Sequence, residues 1–237
     1  MIERDNIQVE IRPLSANYER AMQEQQVAYN AVLSQLAATG TAHCAYLFIG
    51  EHASVYTLGL HGKLSNLLTE TGTEGTPNLY RTNRGGDITY HGPGQLVVYF
   101  VGHLPTLRIG ARQYVKCLEH AVMATLATYQ IETSLLDDAP GVWLSASPTR
   151  PLRKICALGI HVSRGITTHG LALNVQPQLA YFTKINPCGF TDRGVTSMQQ
   201  ELTHPVDLAS VKDSLLQHLA YELHFTYGTK EGCDTEL

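Results

Sequence analysis

Residues 84–95 read Arg-Gly-Gly-Asp-Ile-Thr-Tyr-His-Gly-Pro-Gly-Gln and run straight into the apolar stretch Leu96–Val101. Glycine tolerates positive φ and lets the backbone approach a ligand closely, and Gly92-Pro93-Gly94 forces a turn before the apolar stretch begins. An apolar run bounded by such a turn reads as a strand, and Leu79–Thr82 reads as the strand on the other side. No Gly-Lys-Ser/Thr follows the glycines and no helix follows the turn, so the segment is not a phosphate loop. The plain alternative is a hairpin turn with a surface arginine. Against it, a loop this rich in Gly, Tyr and His is costly to order unless it is used.

Around this segment the apolar pattern alternates between two periods. Ile7, Val9 and Ile11 predict a first strand ending at Pro13. Tyr18, Met22, Tyr29, Val32, Leu33 and Leu36 recur at helical spacing, predicting a helix over 15–38 with Ser15 as its cap. Cys44–Ile49 and Ser54–Leu58 predict buried strands, and 69–78 has the composition of a surface loop. Residues 110–129 predict a second helix, with Ala111, Tyr114, Val115, Leu118, Val122 and Leu126 on one face. Val142–Leu144, Ile155–Val162 and Leu171–Val175 predict strands, and Leu208, Val211, Leu215 and Leu219 a final helix. Helices and strands mix without strict alternation, which points to an α+β fold with a mixed β-sheet flanked by helices. The irregular stretch before the last helix suggests a smaller sub-domain starting near residue 180.

Composition narrows the function. The 237 residues are 43% hydrophobic and 16% charged, enough for one large domain or two small ones. Mean hydropathy is near zero, and no run of about eighteen apolar residues occurs, so no membrane span is expected. The start, MIERDNIQVE, lacks an apolar signal core, so secretion is not expected either. Five cysteines without a CxxC pair suit a reducing cytoplasm better than a disulfide framework. A net charge of −4 argues against a nucleic-acid partner.

Asn186-Pro187-Cys188-Gly189 holds a thiol on a tight turn, where it can reach a pocket. Cysteine is ordinarily a small buried hydrophobe, and Cys44, Cys117 and Cys156, set in apolar patterns, are read that way. Cys233, in a polar tail, is read as incidental. Lys154 opens the strand Lys-Ile-Cys-Ala-Leu-Gly-Ile. A lysine there is ordinarily a solvated flank, but beside a thiol it favours the thiolate. The two residues are 34 apart in sequence, so only the fold can bring them together. A thiol, a lysine and a backbone-rich loop are the parts of an acyl-transfer site: a nucleophile, a group that keeps it ionised, and amide donors for the oxyanion. His169, before Gly170, either lines the pocket or serves as a structural donor. No HExxH or clustered His/Cys spacing occurs, so neither a metal nor a cofactor is expected.

In this order, RGGDITYHGPGQLVVY, KICALGIHVSRGITTHGLALNV and INPCG closely resemble the lipoyl(octanoyl) transferases of lipoate biosynthesis. Glu51-His52 with Val55–Gly59 is similar to that family's EHxxVYTLG stretch, and the resemblance covers about residues 15–225. It implies the fold shared by biotin and lipoate protein ligases, with one catalytic domain filling 1–237. It implies transfer of an octanoyl group from octanoyl-acyl carrier protein to a lysine of lipoyl domains, those of 2-oxoacid dehydrogenase complexes and the glycine cleavage H protein. Cys188 would carry the acyl group as a thioester, with Lys154 as the activating residue. The matching substrate-contact segments are Arg84, Gly85, Gly86, Asp87, Ile88, Thr89, Tyr90 and His91, then Ala157, Leu158 and Gly159, then Gly170, Leu171 and Ala172.

Thioester exchange followed by amide formation needs no nucleotide, in keeping with the missing phosphate loop. Leu96, Val98 or Leu158 are expected to form part of an apolar tunnel. Arg150, Arg153, Lys154 and Arg164, joined by Arg81 and Arg84, are read either as a docking patch for an acidic carrier protein or as a solvated face. Three rivals remain on chemistry: an ATP-using lipoate–protein ligase, which would not need Cys188; a non-catalytic binder on the same fold; and a thiol hydrolase, which would need a His/Asp pair by the thiol.

Overall fold

The computed structural model describes residues 7–72, 75–186, 193–202, 204–228 and 233. Two strands, β2 (Cys44–Gly50) and β6 (Gln95–Val101), are apolar along almost their whole length and buried on both faces, so they form the centre of the larger sheet. Around them lie β1 (Ile7–Pro13), β7 (Gly141–Leu144), β8 (Arg153–Ser163), β9 (Ile166–Asn174), β10 (Gly194–Val195) and β11 (Phe225–Tyr227). The order is β10-β8-β9-β6-β2-β1-β11, with β7 also paired to β8. β1 runs parallel to β2 and β11, and β10 parallel to β8; the other pairings are antiparallel. A small second sheet, β4 (Asn78–Arg81), β3 (Val55–Leu58) and β5 (Ile88–His91), stands beside it.

Helices cover both faces of the large sheet. α1 (Tyr18–Thr39) packs Ala21, Ala28 and Val32 against Tyr46, Phe48 and Tyr99. α2 (Ala111–Thr128) and α4 (Leu208–Leu223) share the opposite face, where Leu118, Val122, Leu215 and Leu219 join Leu47, Val98 and Phe100 in one cluster. A single turn, α3 (Met198–Glu201), buries Met198 in the same cluster. The expected sub-domain after residue 180 is therefore not separate: α4 shares this core and β11 adds to the sheet beside β1.

The differences from the sequence reading have local causes. α1 is capped by Asn17, whose side-chain oxygen accepts the Arg20 N–H at 2.9 Å, rather than by Ser15. β5 lies inside what reads as turn, because Ile88 and Tyr90 alternate inward over only four residues between glycine clusters. β9 begins at Ile166, five residues before the apolar run that signals it, since pairing with β8 carries the polar Thr167–His169 stretch. Cys44 is not simply a buried hydrophobe nor Cys233 incidental. The two are disulfide-bonded with Cα atoms 5.5 Å apart, a pairing across 189 residues that no local spacing can reveal.

A bond closing so long a loop removes about 5 kcal/mol of unfolded-chain entropy in the chain-entropy account. Thiol titration of the oxidised, denatured chain should find Cys117, Cys156 and Cys188 reactive and Cys44 and Cys233 not. Reduction should lower the unfolding midpoint, and a Cys233→Ser variant should match the reduced protein.

Candidate active site

The Gly-rich segment crosses from the small sheet to the free edge of β8, where the Gly85 N–H donates to the Ile160 carbonyl at 2.9 Å. Gly86 there takes φ +84, the left-handed region that favours glycine. With β8 and β9 it lines a cleft. Of the residues singled out by sequence, Arg84, Gly86, Asp87, Ile88, Thr89, His91, Lys154, Ala157, Leu158, Gly159, Gly170, Leu171 and Ala172 line this cleft, and so does His169. Gly85 lines an adjoining cavity that shares Gly86, Lys154, Leu158 and Gly159 with it. Tyr90 is not among the lining residues: its ring stacks on Tyr181 at 4.6 Å and its hydroxyl meets Ser54 Oγ at 2.9 Å. Cys188 lies outside the described residues.

Arg84 braces this loop from within. It is buried, and its guanidinium donates to Thr57 Oγ1 from Nε (3.1 Å) and Nη2 (2.9 Å), to the Thr57 and Asp87 carbonyls (2.6 and 2.7 Å) and to the Gly85 carbonyl (3.0 Å). Asp87 turns away from the cleft centre: Oδ1 accepts from the Ile88 and Lys63 amides at 2.7 and 3.2 Å, and Oδ2 from the Asn66 side chain.

From Arg84 a chain of side-chain hydrogen bonds runs behind the cleft with one polarity. Thr57 Oγ1, accepting from Arg84, has its proton free for His91 Nε2 at 3.4 Å. His91 Nδ1 donates to Gln95 Oε1 at 2.7 Å. The Gln95 amide donates to Asn174 Oδ1 at 2.9 Å, and Asn174 Nδ2 to the Thr196 carbonyl at 2.9 Å. The Thr196 N–H in turn donates to the Lys154 carbonyl at 2.9 Å. Thr57, Gln95 and Asn174 were not singled out as site residues by sequence, because a polar residue inside an apolar strand shows its role only once its partners are known; Thr196, just past β10, takes part through its backbone.

Lys154 is held at the junction of the two cavities. Its ammonium donates to the Pro140 carbonyl at 3.1 Å and stands 4.6 Å from the centre of the Trp143 ring. Room for it depends on Gly141, where φ is +130 and a Cβ would fall 2.6 Å from the Cys156 carbonyl and 3.4 Å from Lys154 Nζ. Beyond Asn186 and before Arg193 no residue is described, but the chain resumes beside this lysine, with Gly194 paired to Arg153 and Val195 to Lys154. Cys156, on the next turn of the strand pattern, is sealed in the core, where burial pushes its thiol up to about 12.

Two expectations fail on geometry. Leu96 and Val98 do not form the tunnel. Side chains alternate along β6, so these two face the α2–α4 core while Gln95 and Tyr99 face the cleft; Leu158 does line it. The arginines do not form one patch. Arg150 and Arg153 both bind Glu201, at 3.0 and 2.7 Å, and Arg153 chiefly holds that carboxyl below its usual range. Arg164 sits past the far end of the eleven-residue β8, about 36 Å from Arg153 along the strand.

The comparisons agree with this architecture. The family model described as "Lipoyl protein ligase A/B catalytic domain" matches residues 18–220, and the chain belongs to that family. An octanoyltransferase of Bacteroides fragilis is 50% identical over 172 residues, covering 71% of this chain and 77% of that one. An octanoyltransferase of Bacteroides thetaiotaomicron is 45% identical over 194 residues, covering 81% and 85%. Among solved structures, the bipartite lipoate protein ligase of Thermoplasma acidophilum superposes with TM-score 0.69 at 14% identity, over 96% of this chain and 90% of that one. Lipoate-protein ligase A bound with ATP gives 0.61 at 15% identity, over 96% and 92%. At such identities the likeness is one of fold.

Three histidines around the cleft are buried and neutral. Burial holds His52 down at about 4; burial, with the charge of Arg84 adding to it, holds His91 and His169 at about 3. The unfolded chain therefore takes up protons below about pH 6.5 that the folded chain refuses. Their contribution is full above that pH and is lost as pH falls toward the folded values. Denaturant unfolding at fixed ionic strength should show stability falling from about pH 6.5 to 4, by up to about 1.4 kcal/mol per pH unit for each histidine. His91→Gln should flatten that slope.

Proposed function

We propose that this protein transfers an octanoyl group from the thioester of octanoyl-acyl carrier protein to a lysine of a lipoyl domain, through a thioester on Cys188. The observation that carries the reading is Lys154: a cation at the junction of an apolar cleft and a second cavity, on the strand to which the chain following Cys188 is paired. Octanoyltransferase relatives at 45–50% identity support the acyl group and the reaction class. The protein acts in the cytoplasm as one catalytic domain over 1–237, with lipoyl domains of 2-oxoacid dehydrogenase complexes and the glycine cleavage H protein as acceptors.

The steps balance on two groups. Lys154 as ammonium favours the Cys188 thiolate, which attacks the donor carbonyl. The departing carrier sulfur takes the Lys154 proton, leaving a neutral amine. That amine accepts a proton from the neutral acceptor lysine as its nitrogen attacks the enzyme thioester, so Cys188 leaves as a thiolate beside the restored Lys154 ammonium. The remaining segment residues of the cleft hold the acyl chain: Leu158, Leu171 and Ala172 give apolar walls, and each buried CH₂ contributes about 0.8 kcal/mol. Neutral His91 and His169 keep further positive charge out of that wall.

Incubation with octanoyl-acyl carrier protein without ATP should add one octanoyl mass to the wild type and none to Cys188→Ser. The adduct should be labile to hydroxylamine and discharged by a lipoyl domain. Lys154→Ala should slow acylation about 10²-fold or more. A wild type that takes up no acyl group without ATP would instead favour the ligase reading.

A further inference from the structure

Leu60, Leu64 and Leu68 are 61, 51 and 55% exposed. One exposed leucine is ordinary on any protein surface, but three within residues 60–68 turn apolar side chains to solvent from one short segment, called the ridge. The backbone beneath it is fixed on both sides of the cleft. On one side the Leu60 and His61 amides donate to the Arg84 and Gly86 carbonyls at 2.9 and 3.2 Å, and Asp87 clasps Lys63 and Asn66. On the other, the Leu68 amide donates to the Lys184 carbonyl at 2.9 Å and the Asn186 amide to the Asn66 carbonyl at 2.7 Å. Leu67 turns inward and joins the cluster of Tyr56 and Ile185. The segment thus ties the Gly-rich loop to the chain leading toward Cys188 while holding leucines out to solvent.

Lys63 and Lys184 flank the ridge, exposed, and neither is in an ion pair among the described residues. Exposed Glu70 stands two residues past Leu68, so the two lysines leave the segment with one net positive charge on a chain of net charge −4, which favours an acidic occupant. Reach selects between the two protein substrates. A lysine side chain extends only about 6 Å from its Cα, so the domain bearing it must rest on the rim of the cleft. A donor whose acyl group rides on a long flexible arm has no such need. We infer that residues 60–68 dock the acceptor: a folded domain presenting its lysine on a surface turn, with apolar and acidic residues beside it. The inference rests on the acyl-transfer reading above.

The test uses full-length enzyme charged with octanoyl on Cys188, in wild type, a Leu64→Ser/Leu68→Ser variant and Lys63→Glu. Discharge is followed with a lipoyl domain and with hydroxylamine, and acylation with octanoyl-acyl carrier protein. Both variants should lose about ten-fold in kcat/KM toward the lipoyl domain, through KM, with hydroxylamine discharge and acylation close to wild type. Unchanged discharge by the lipoyl domain would overturn the inference. So would an equal loss with hydroxylamine, which would mark a distorted site, or a loss confined to acylation, which would make the donor the occupant. Affinity of the uncharged enzyme for the lipoyl domain, measured by titration, should fall in both variants. It reads docking even if wild type forms no acyl-enzyme, so failure of the thioester route and failure of the docking site give different results.

Discussion

A guanidinium taken out of water has to be met by oxygen on every side, and the Gly-rich segment exists in its observed shape because Arg84 is buried inside it. Its donors are spread over Thr57 of the small sheet and the carbonyls of Gly85 and Asp87 in its own loop. That requirement curls residues 84–87 around the side chain, and the Gly85 amide ties the curled loop to Ile160 of the larger sheet. The same charge reaches His91 and His169, adding to the burial that keeps both neutral. Cleft shape and the hydrogen-bond chain through Gln95 and Asn174 thus both start at this residue.

Much of the fold was legible in the sequence, because its strands and helices carry clean periodicity over long runs. The first strand, both large helices, the paired apolar strands and the last helix fall where Ile7–Ile11, the heptad-like spacing of 18–36 and the Leu96–Val101 run put them. What was hidden is short or non-local. β5 has four residues and no room to declare a period. The β9 start depends on its neighbour rather than on its own apolarity. The Cys44–Cys233 bond spans almost the whole chain.

The site was legible to a different degree. Glycines and a lysine in the motifs marked its walls, and thirteen of the named residues, Lys154 among them, line the cleft. The support behind those walls was not legible. Gln95, Asn174, Thr57 and Gly141 act through partners far away in sequence, and Tyr90 carries a motif position but packs outside the cleft. Sequence spacing also misjudged faces: Leu96 and Val98 lie one residue from cleft positions on β6, and one residue on a strand is a change of side.

That alternation on β6 has a wider consequence. Its even-numbered side chains hold α2 and α4 to the sheet, while on the other side Val97, Tyr99 and Val101 pack with α1, and Gln95 and Tyr99 also reach the cleft. A change at Tyr99 therefore alters the binding surface and the seat of α1 together, while the α2–α4 face of the strand is left alone. A lineage that reshapes its ligand site on this strand has to refit one helix and can keep the other two.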